Sequence, residues 1–202
     1  MRLVGLLLAA GRGARFGGAK LLAPLPADSH GVGGGTPVGA AACMHLVAAL
    51  NDVIAVVRPG DSALRDVLAG TGARIVVCDR ADEGMGASLA CAVAAAADAD
   101  GWLVALADMP WIAPSSIMTV ADALRGGAEL AAPVFRGERG HPVGFAREYA
   151  GLLSALTGDE GARALVASRT RALQLLEVDD PGVVRDIDRP DDLRPRTEPP
   201  RE

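Results

Sequence analysis

Short runs rich in Val, Ile, Leu and Ala, bounded by Gly, Pro or Asp, alternate along this chain with longer Ala/Leu/Arg segments whose apolar positions recur at helical spacing. The runs predict strands over Leu3 to Ala9, Val53 to Val57, Arg74 to Cys78, Trp102 to Ala107 and Leu130 to Val134. The intervening segments predict helices over Val38 to Leu50, Ser62 to Ala69, Ala87 to Ala97 and Ser115 to Arg125. Near-continuous apolar strands joined by helical crossovers call for a parallel sheet covered on both faces, so the expected class is α/β with one doubly wound, mostly parallel sheet.

After Val134 the rhythm becomes irregular: a short strand is expected over His141 to Phe145, a helix over Glu160 to Ser168 and a strand over Ala172 to Val178. One domain over residues 1–193 accommodates all of this, with Pro26 to Thr36 expected as a mobile glycine-rich loop and residues 194–202 as a disordered tail. The chain has 202 residues, half of them hydrophobic but only six aromatic, enough for one sizeable core. No apolar run reaches the roughly 18 residues of a membrane span. A net charge of −5 speaks against nucleic acid or an anionic membrane as partner, since both require a basic face. Cys43, Cys78 and Cys91 are odd in number and sit in apolar surroundings, as reduced structural cysteines do, and a cytoplasmic location suits them.

Candidate chemistry starts where the first strand ends. In open α/β sheets ligands bind beyond the carboxyl ends of strands, and here that end runs Ala9, Ala10, Gly11, Arg12, Gly13, Ala14, Arg15, Phe16, Gly17, Gly18, Ala19, Lys20. Gly11 and Gly13 let backbone N–H groups approach anionic oxygens, and Arg12, Arg15 and Lys20 add three cations, a set that suits a nucleoside triphosphate. Lys20 is the only lysine among twenty basic residues. A P-loop is excluded because Lys20 lies between Ala19 and Leu21; a dinucleotide-binding fingerprint would need Gly in place of Phe16 and an acid where the second strand ends in Arg58. A solvated turn is the plain alternative.

Asp108 follows the fourth strand directly, again at a carboxyl end. Mg2+ takes one or two carboxylates with water and phosphate oxygens completing its shell, so Asp108 beside a triphosphate loop is a metal candidate, unless it only caps the next turn. Gly86 and Ser88 open a helix after the third strand, placing the Ser88 hydroxyl either near the nucleotide or in a cap. Gly140, His141, Pro142 and, further on, Asp159, Glu160, Gly161 and Arg163 supply polar groups where a second substrate could dock. His30 and His45 have no constellation around them.

The segment from Leu8 to Lys20 resembles the L-A-A-G-x-G-x-R-x-G-x-x-K signature of the nucleotidyltransferases that make sugar nucleotides, activated isoprenoid precursors and nucleotide-extended molybdenum cofactor. The resemblance implies the Rossmann-like fold of nucleotide-diphospho-sugar transferases, with Lys20 and Arg15 acting on the transferring phosphates and Ala9, Ala10, Gly11, Arg12 and Gly13 at the nucleotide. Asp108-Met109-Pro110 resembles the metal-binding strand end of the molybdenum-cofactor branch. The stretch Asp186 to Leu193 resembles the closing motif, whose acidic residue completing the Mg2+ site is Asp188; Asp186 would assist, and Asp191 and Asp192 would favour the start of a short last helix.

The run Gly84-Met85-Gly86-Ala87-Ser88-Leu89 is similar to that of molybdenum cofactor cytidylyltransferases, where it helps to read the base, and Ala10 stands where related guanylyltransferases carry Gly. His141, Pro142, Asp159, Glu160 and Arg163 fall in segments that resemble those facing the pterin. The resemblance therefore implies CTP, a molybdopterin-type phosphorylated acceptor and a client molybdoenzyme as partners. GTP, a sugar or polyol phosphate acceptor, an NADP-dependent oxidoreductase and a non-catalytic cofactor carrier remain open on the residues alone.

Overall fold

The computed structural model describes residues 1–13, 15–26, 33–159 and 161–193. Six residues of the expected mobile loop (27–32), Glu160 and the expected tail lie outside them. The strands are β1 (Leu3–Leu8), β2 (Val53–Val57), β3 (Arg74–Val77), β4 (Gly101–Leu106), β5 (Leu130–Phe135), β6 (Glu138–Arg139), β7 (Val143–Ala146) and β8 (Leu173–Glu177). The helices are α1 (Val38–Ala49), α2 (Ser62–Ala69), α3 (Met85–Ala94), α4 (Pro114–Arg125), α5 (Ala150–Ser154) and α6 (Arg163–Ser168).

One eight-stranded sheet holds them in the order β3-β2-β1-β4-β7-β5-β6, with β8 against β5. The first four strands are parallel and so is the β5–β8 pair, whereas β7 runs antiparallel to both β4 and β5. Alternate residues of β1, β2 and β4 face opposite layers, as the two-residue period of a strand requires. Leu7, Ala55, Val57 and Leu103 pack under α1, α2 and α4. Leu6, Ile54, Val56, Trp102 and Val104 pack under α3, α5 and α6. Fully burying one such leucine or isoleucine contributes about 2 kcal/mol, so both layers are needed to hold the sheet. Among the described residues no helix is long and apolar enough to cross a membrane.

Three expectations need correction. Cys78 and Cys91 are joined in a disulfide, with their Cα atoms 6.0 Å apart, so only Cys43 is a free, buried thiol. Sequence spacing concealed this because the pair forms between the end of β3 and the middle of α3, which only the fold brings together. The strand expected from His141 begins at Val143 instead: Pro142 has no N–H to give a ladder, and the His141 N–H donates to the Val183 carbonyl at 2.8 Å. The helix expected from Glu160 is α6, which begins at Arg163 after a turn at Gly161 and Ala162; Glu160 itself lies outside the described residues.

The C-terminal segment is tied back to the sheet. Asp180, only 9% exposed, accepts hydrogen bonds from the Ala113 N–H (2.9 Å) and the Ser116 hydroxyl (2.7 Å), satisfying donors at the start of α4 from 67 residues away in sequence. It also accepts from the Gly182 N–H at 2.8 Å. This anchor carries the chain across the carboxyl end of β4.

Candidate active site

The loop after β1 starts in the core and leaves it in two residues. Ala9 is buried and donates its N–H to the Val56 carbonyl at 2.9 Å, so it ends the strand, while Ala10 floors a cleft above it. Gly13 takes a left-handed conformation (φ +59°), where a Cβ would come within 3.2 Å of the Gly18 carbonyl; only glycine lets the loop fold back on itself here. The return places Lys20 at the head of a short 3-10 turn, Lys20–Leu22.

There the cation meets the acids. The Lys20 ammonium donates to Asp108 at 2.8 Å and lies 3.8 Å from Asp188, and its side chain is only 11% exposed. Arg15 pairs with the other oxygen of Asp188. Asp188 reaches the site because the Ile187 N–H donates to the Asp108 carbonyl at 2.9 Å and the Ile187 side chain is fully buried. With Ile187 pointing inward, Asp186 and Asp188 turn to the opposite side of the extended segment. Burial first, then the Asp108 and Asp188 charges, pushes the Asp186 carboxyl above the usual carboxylate range. Asp192 accepts from the N–H groups of Asp188 (3.0 Å) and Arg189 (2.7 Å), capping the last 3-10 turn, Pro190–Leu193.

Asp108 and Asp188 thus flank a position that already attracts a cation, Lys20. Among the described residues there is no group of three or more His, Cys, Asp or Glu side chains placed to hold a metal ion. Two carboxylates open to a phosphate loop suit a hard divalent ion that completes its shell with water and phosphate oxygens.

Two clefts adjoin along Leu8, Met85, Leu106 and Asp159, and Asp108 lines the smaller of them. One, of about 490 Å3, is lined by Ala10, Gly11, Arg12, Gly84, Ser88 and Asp108 among others. The Ser88 hydroxyl is buried and donates back to the Gly84 carbonyl at 3.2 Å, so it is not an N-cap. Gly86 serves packing instead, since its N–H donates to the Gly158 carbonyl at 2.7 Å, and a Cβ would lie 2.6 Å from the Thr157 carbonyl oxygen. Gly86 therefore clamps α3 against residues 157–158 and gives its donor to that segment.

The other cleft, of about 830 Å3, has apolar walls from Leu8, Leu89, Val104, Leu106, Val143 and Phe145 and polar groups from Arg139, His141, Asp159 and Arg163. Pro142 is buried and does not line it. Burial pushes the His141 imidazole down to about 4, against a smaller upward pull from Asp108, so it is neutral near pH 7. Asp159 lines both clefts.

Residues 5–174 match the MobA-like NTP transferase domain. The chain belongs to the MobA-like NTP transferase family. Over 200 residues it is 30% identical to the purine catabolism protein PucB of Bacillus subtilis, covering 94% of this chain and 93% of that protein. The crystal structure of Rv0371c from Mycobacterium tuberculosis is 31% identical with a TM-score of 0.79, covering 95% of this chain and 94% of that one. A second Rv0371c structure, a complex with manganese, is 28% identical with a TM-score of 0.76, covering 95% and 96%. A nucleotidyl transferase from Methanothermobacter, 24% identical with a TM-score of 0.78 over 95% and 94% of the two chains, shares the fold.

As a MobA-like NTP transferase the chain is a nucleotidyltransferase. Its fold brings Arg15, Lys20, Asp108 and Asp188 together, with Ala10, Gly11, Arg12 and Ser88 beside them and His141, Asp159 and Arg163 in the neighbouring cleft. Ala9, Gly86 and Pro142 act from behind the surface. Two arginines not among the sequence candidates also line these clefts: Arg58 the smaller one and Arg139 the larger. The position of Arg58 at the carboxyl end of β2 was the available signal; Arg139 sits on a two-residue strand with no periodic signal.

Proposed function

We propose that this protein transfers CMP from CTP to the terminal phosphate of a molybdopterin-type cofactor, with Mg2+ and release of pyrophosphate. The carrying observation is the Lys20 ammonium held between Asp108 and Asp188, with Asp108 also lining the smaller cleft. The glycine loop and the carboxylate pair meet there, and the mostly apolar cleft adjoins the smaller one along Leu8, Met85, Leu106 and Asp159.

The reaction forms a bond from an acceptor phosphate oxygen to the α-phosphorus of CTP and breaks the bond from that phosphorus to the α–β bridging oxygen, so pyrophosphate departs. The attacking phosphate is ionised already and needs no general base. Bound between Asp108 and Asp188, Mg2+ would neutralise charge on the phosphates. Lys20, Arg15 and the loop amides would align the triphosphate and stabilise charge on the leaving pyrophosphate, while the walls of the larger cleft would orient the acceptor.

Ala10 on the cleft floor supports cytosine, since its methyl takes space a larger purine needs. The apolar lining from Leu89, Val104, Leu106 and Phe145 supports a flat heterocycle over a sugar or polyol phosphate, and Arg139 and Arg163 match its anionic end. A thermal-shift panel of CTP, GTP, UTP, ATP and NADPH with and without Mg2+ tests the nucleotide, because a bound ligand stabilises the fold by mass action. CTP with Mg2+ is expected to give the largest shift; a shift with GTP alone would overturn the cytosine assignment. Pyrophosphate release from CTP that depends on added molybdopterin tests the acceptor.

A further inference from the structure

Arg58 is the first residue after β2. Its position in the strand alternation places it on the side of Val56, above α3, and the following Pro59 keeps its backbone extended. Its guanidinium pairs with Asp82, which lies in the 3-10 turn Ala81–Glu83 just before α3. Arg12, from the glycine loop, closes on the same Asp82 oxygen at 3.0 Å. Two guanidinium groups from two different strand ends thus converge on one carboxylate at the nucleotide-side cleft. The Arg58 Nε is buried and donates to nothing among the described residues.

Asp82 is 69% exposed, and so weakly held by either arginine despite their charges. Arg12 and Arg58 both line two adjoining cavities, one holding Lys20 and Gly13, the other Ala10 and Ser88. We propose that Arg58 is a triphosphate-binding residue acting with Arg12, and that Asp82 occupies this pair as an internal anion until the nucleotide's phosphates replace it. This rests on the nucleotidyltransferase reading of the site and adds to it a second cationic clamp, opposite Lys20 and Arg15. Planar guanidinium forks suit phosphate oxygens, and the orphan Nε supplies a donor that the carboxylate leaves unused.

Calorimetric binding of CTP and of inorganic pyrophosphate, both in EDTA so that no metal contributes, tests the proposal on the full chain. Arg58→Gln should weaken both ligands at least tenfold and by similar factors, Arg58→Lys should weaken them less, and Asp82→Asn should tighten both a few-fold. Unchanged pyrophosphate affinity in a folded Arg58→Gln protein would overturn the assignment, as would weakening of CTP alone, which would move Arg58 to the base. Weaker binding by Asp82→Asn would overturn the stand-in role. If the unaltered protein bound neither CTP nor pyrophosphate even with Mg2+ restored, the nucleotide reading itself would fall.

Discussion

The Lys20 ammonium lies 2.8 Å from Asp108, so the cation expected to meet the triphosphate and the carboxylate expected to meet the metal neutralise each other directly. Nucleotide and divalent ion should therefore bind with mutual assistance, each releasing the other's partner. Lys20→Ala is expected to lower the rate of pyrophosphate release by roughly two to three orders of magnitude, the scale of losing a positioned charge in a water-poor site. It also leaves Asp108 without its cation, with only Arg15 beside Asp188. Mg2+ should consequently raise the melting temperature of Lys20→Ala more than that of the parent protein; equal shifts would mean that Lys20 and the ion do not compete.

Asp108→Ala should be as damaging to turnover with an opposite binding signature. Removing that carboxylate frees Lys20 for phosphate, so metal-free CTP binding is expected to hold or tighten while the benefit of adding Mg2+ falls away. Titrating CTP with and without Mg2+ checks both halves. A variant that keeps its Mg2+ response would exclude Asp108 as a ligand.

Gly86→Ala should act through the fold. A Cβ there meets the Thr157 carbonyl oxygen at 2.6 Å and the Gly158 carbonyl oxygen at 3.0 Å, backbone atoms that cannot swing aside. The expected cost is about 2 kcal/mol or more, the range of overpacking a tight site. Chemical denaturation measures it, and nucleotide affinity should fall too, because α3 carries Ser88 at the cleft. A stable variant with normal affinity would show that the 157–158 segment yields.

How much of this was legible beforehand follows the range of the interactions. β2 and α2 match their expected bounds because periodicity and flanking Gly, Pro and Asp are local signals. That Asp108 lies beside the glycine loop was legible because both follow a strand at its carboxyl end; the parallel pairing of β1 with β4 brings them together. β7, inserted antiparallel between β4 and β5, had no such signal for its place, since that is set by ladders to two strands distant in sequence. Gly86 looked like a nucleotide contact because a glycine before a helix serves phosphate binding and close packing equally well; only the Gly158 carbonyl decides.

The Cys78–Cys91 disulfide encloses the stretch bearing Asp82, Gly84 and Ser88, with a sequence separation of 13 residues. Cross-linking a loop of that size stabilises by roughly 3 kcal/mol through the unfolded chain. Cys91→Ser is therefore expected to shift the denaturation midpoint down by a corresponding amount, and a reductant should do the same to the parent protein but not to the variant. Equal sensitivity of both to reductant would place the effect elsewhere.

Acid should destabilise the protein through His141. Its unfolded imidazole titrates near 6.5, whereas burial holds the folded one at about 4. Between those values the unfolded chain binds a proton that the folded chain refuses, so the contribution is intact above pH 6.5 and is lost as pH falls toward 4. The full loss is on the order of 3 kcal/mol, at about 1.4 kcal/mol per unit of difference. Burial lowers His45 as well, so it adds to the slope with the same sign. Denaturation midpoints measured from pH 7.5 to 4.5 should fall steeply for the parent protein and distinctly less for His141→Gln. Parallel curves would remove His141 as a source of the acid sensitivity and, with it, the evidence that the apolar cleft keeps this imidazole neutral.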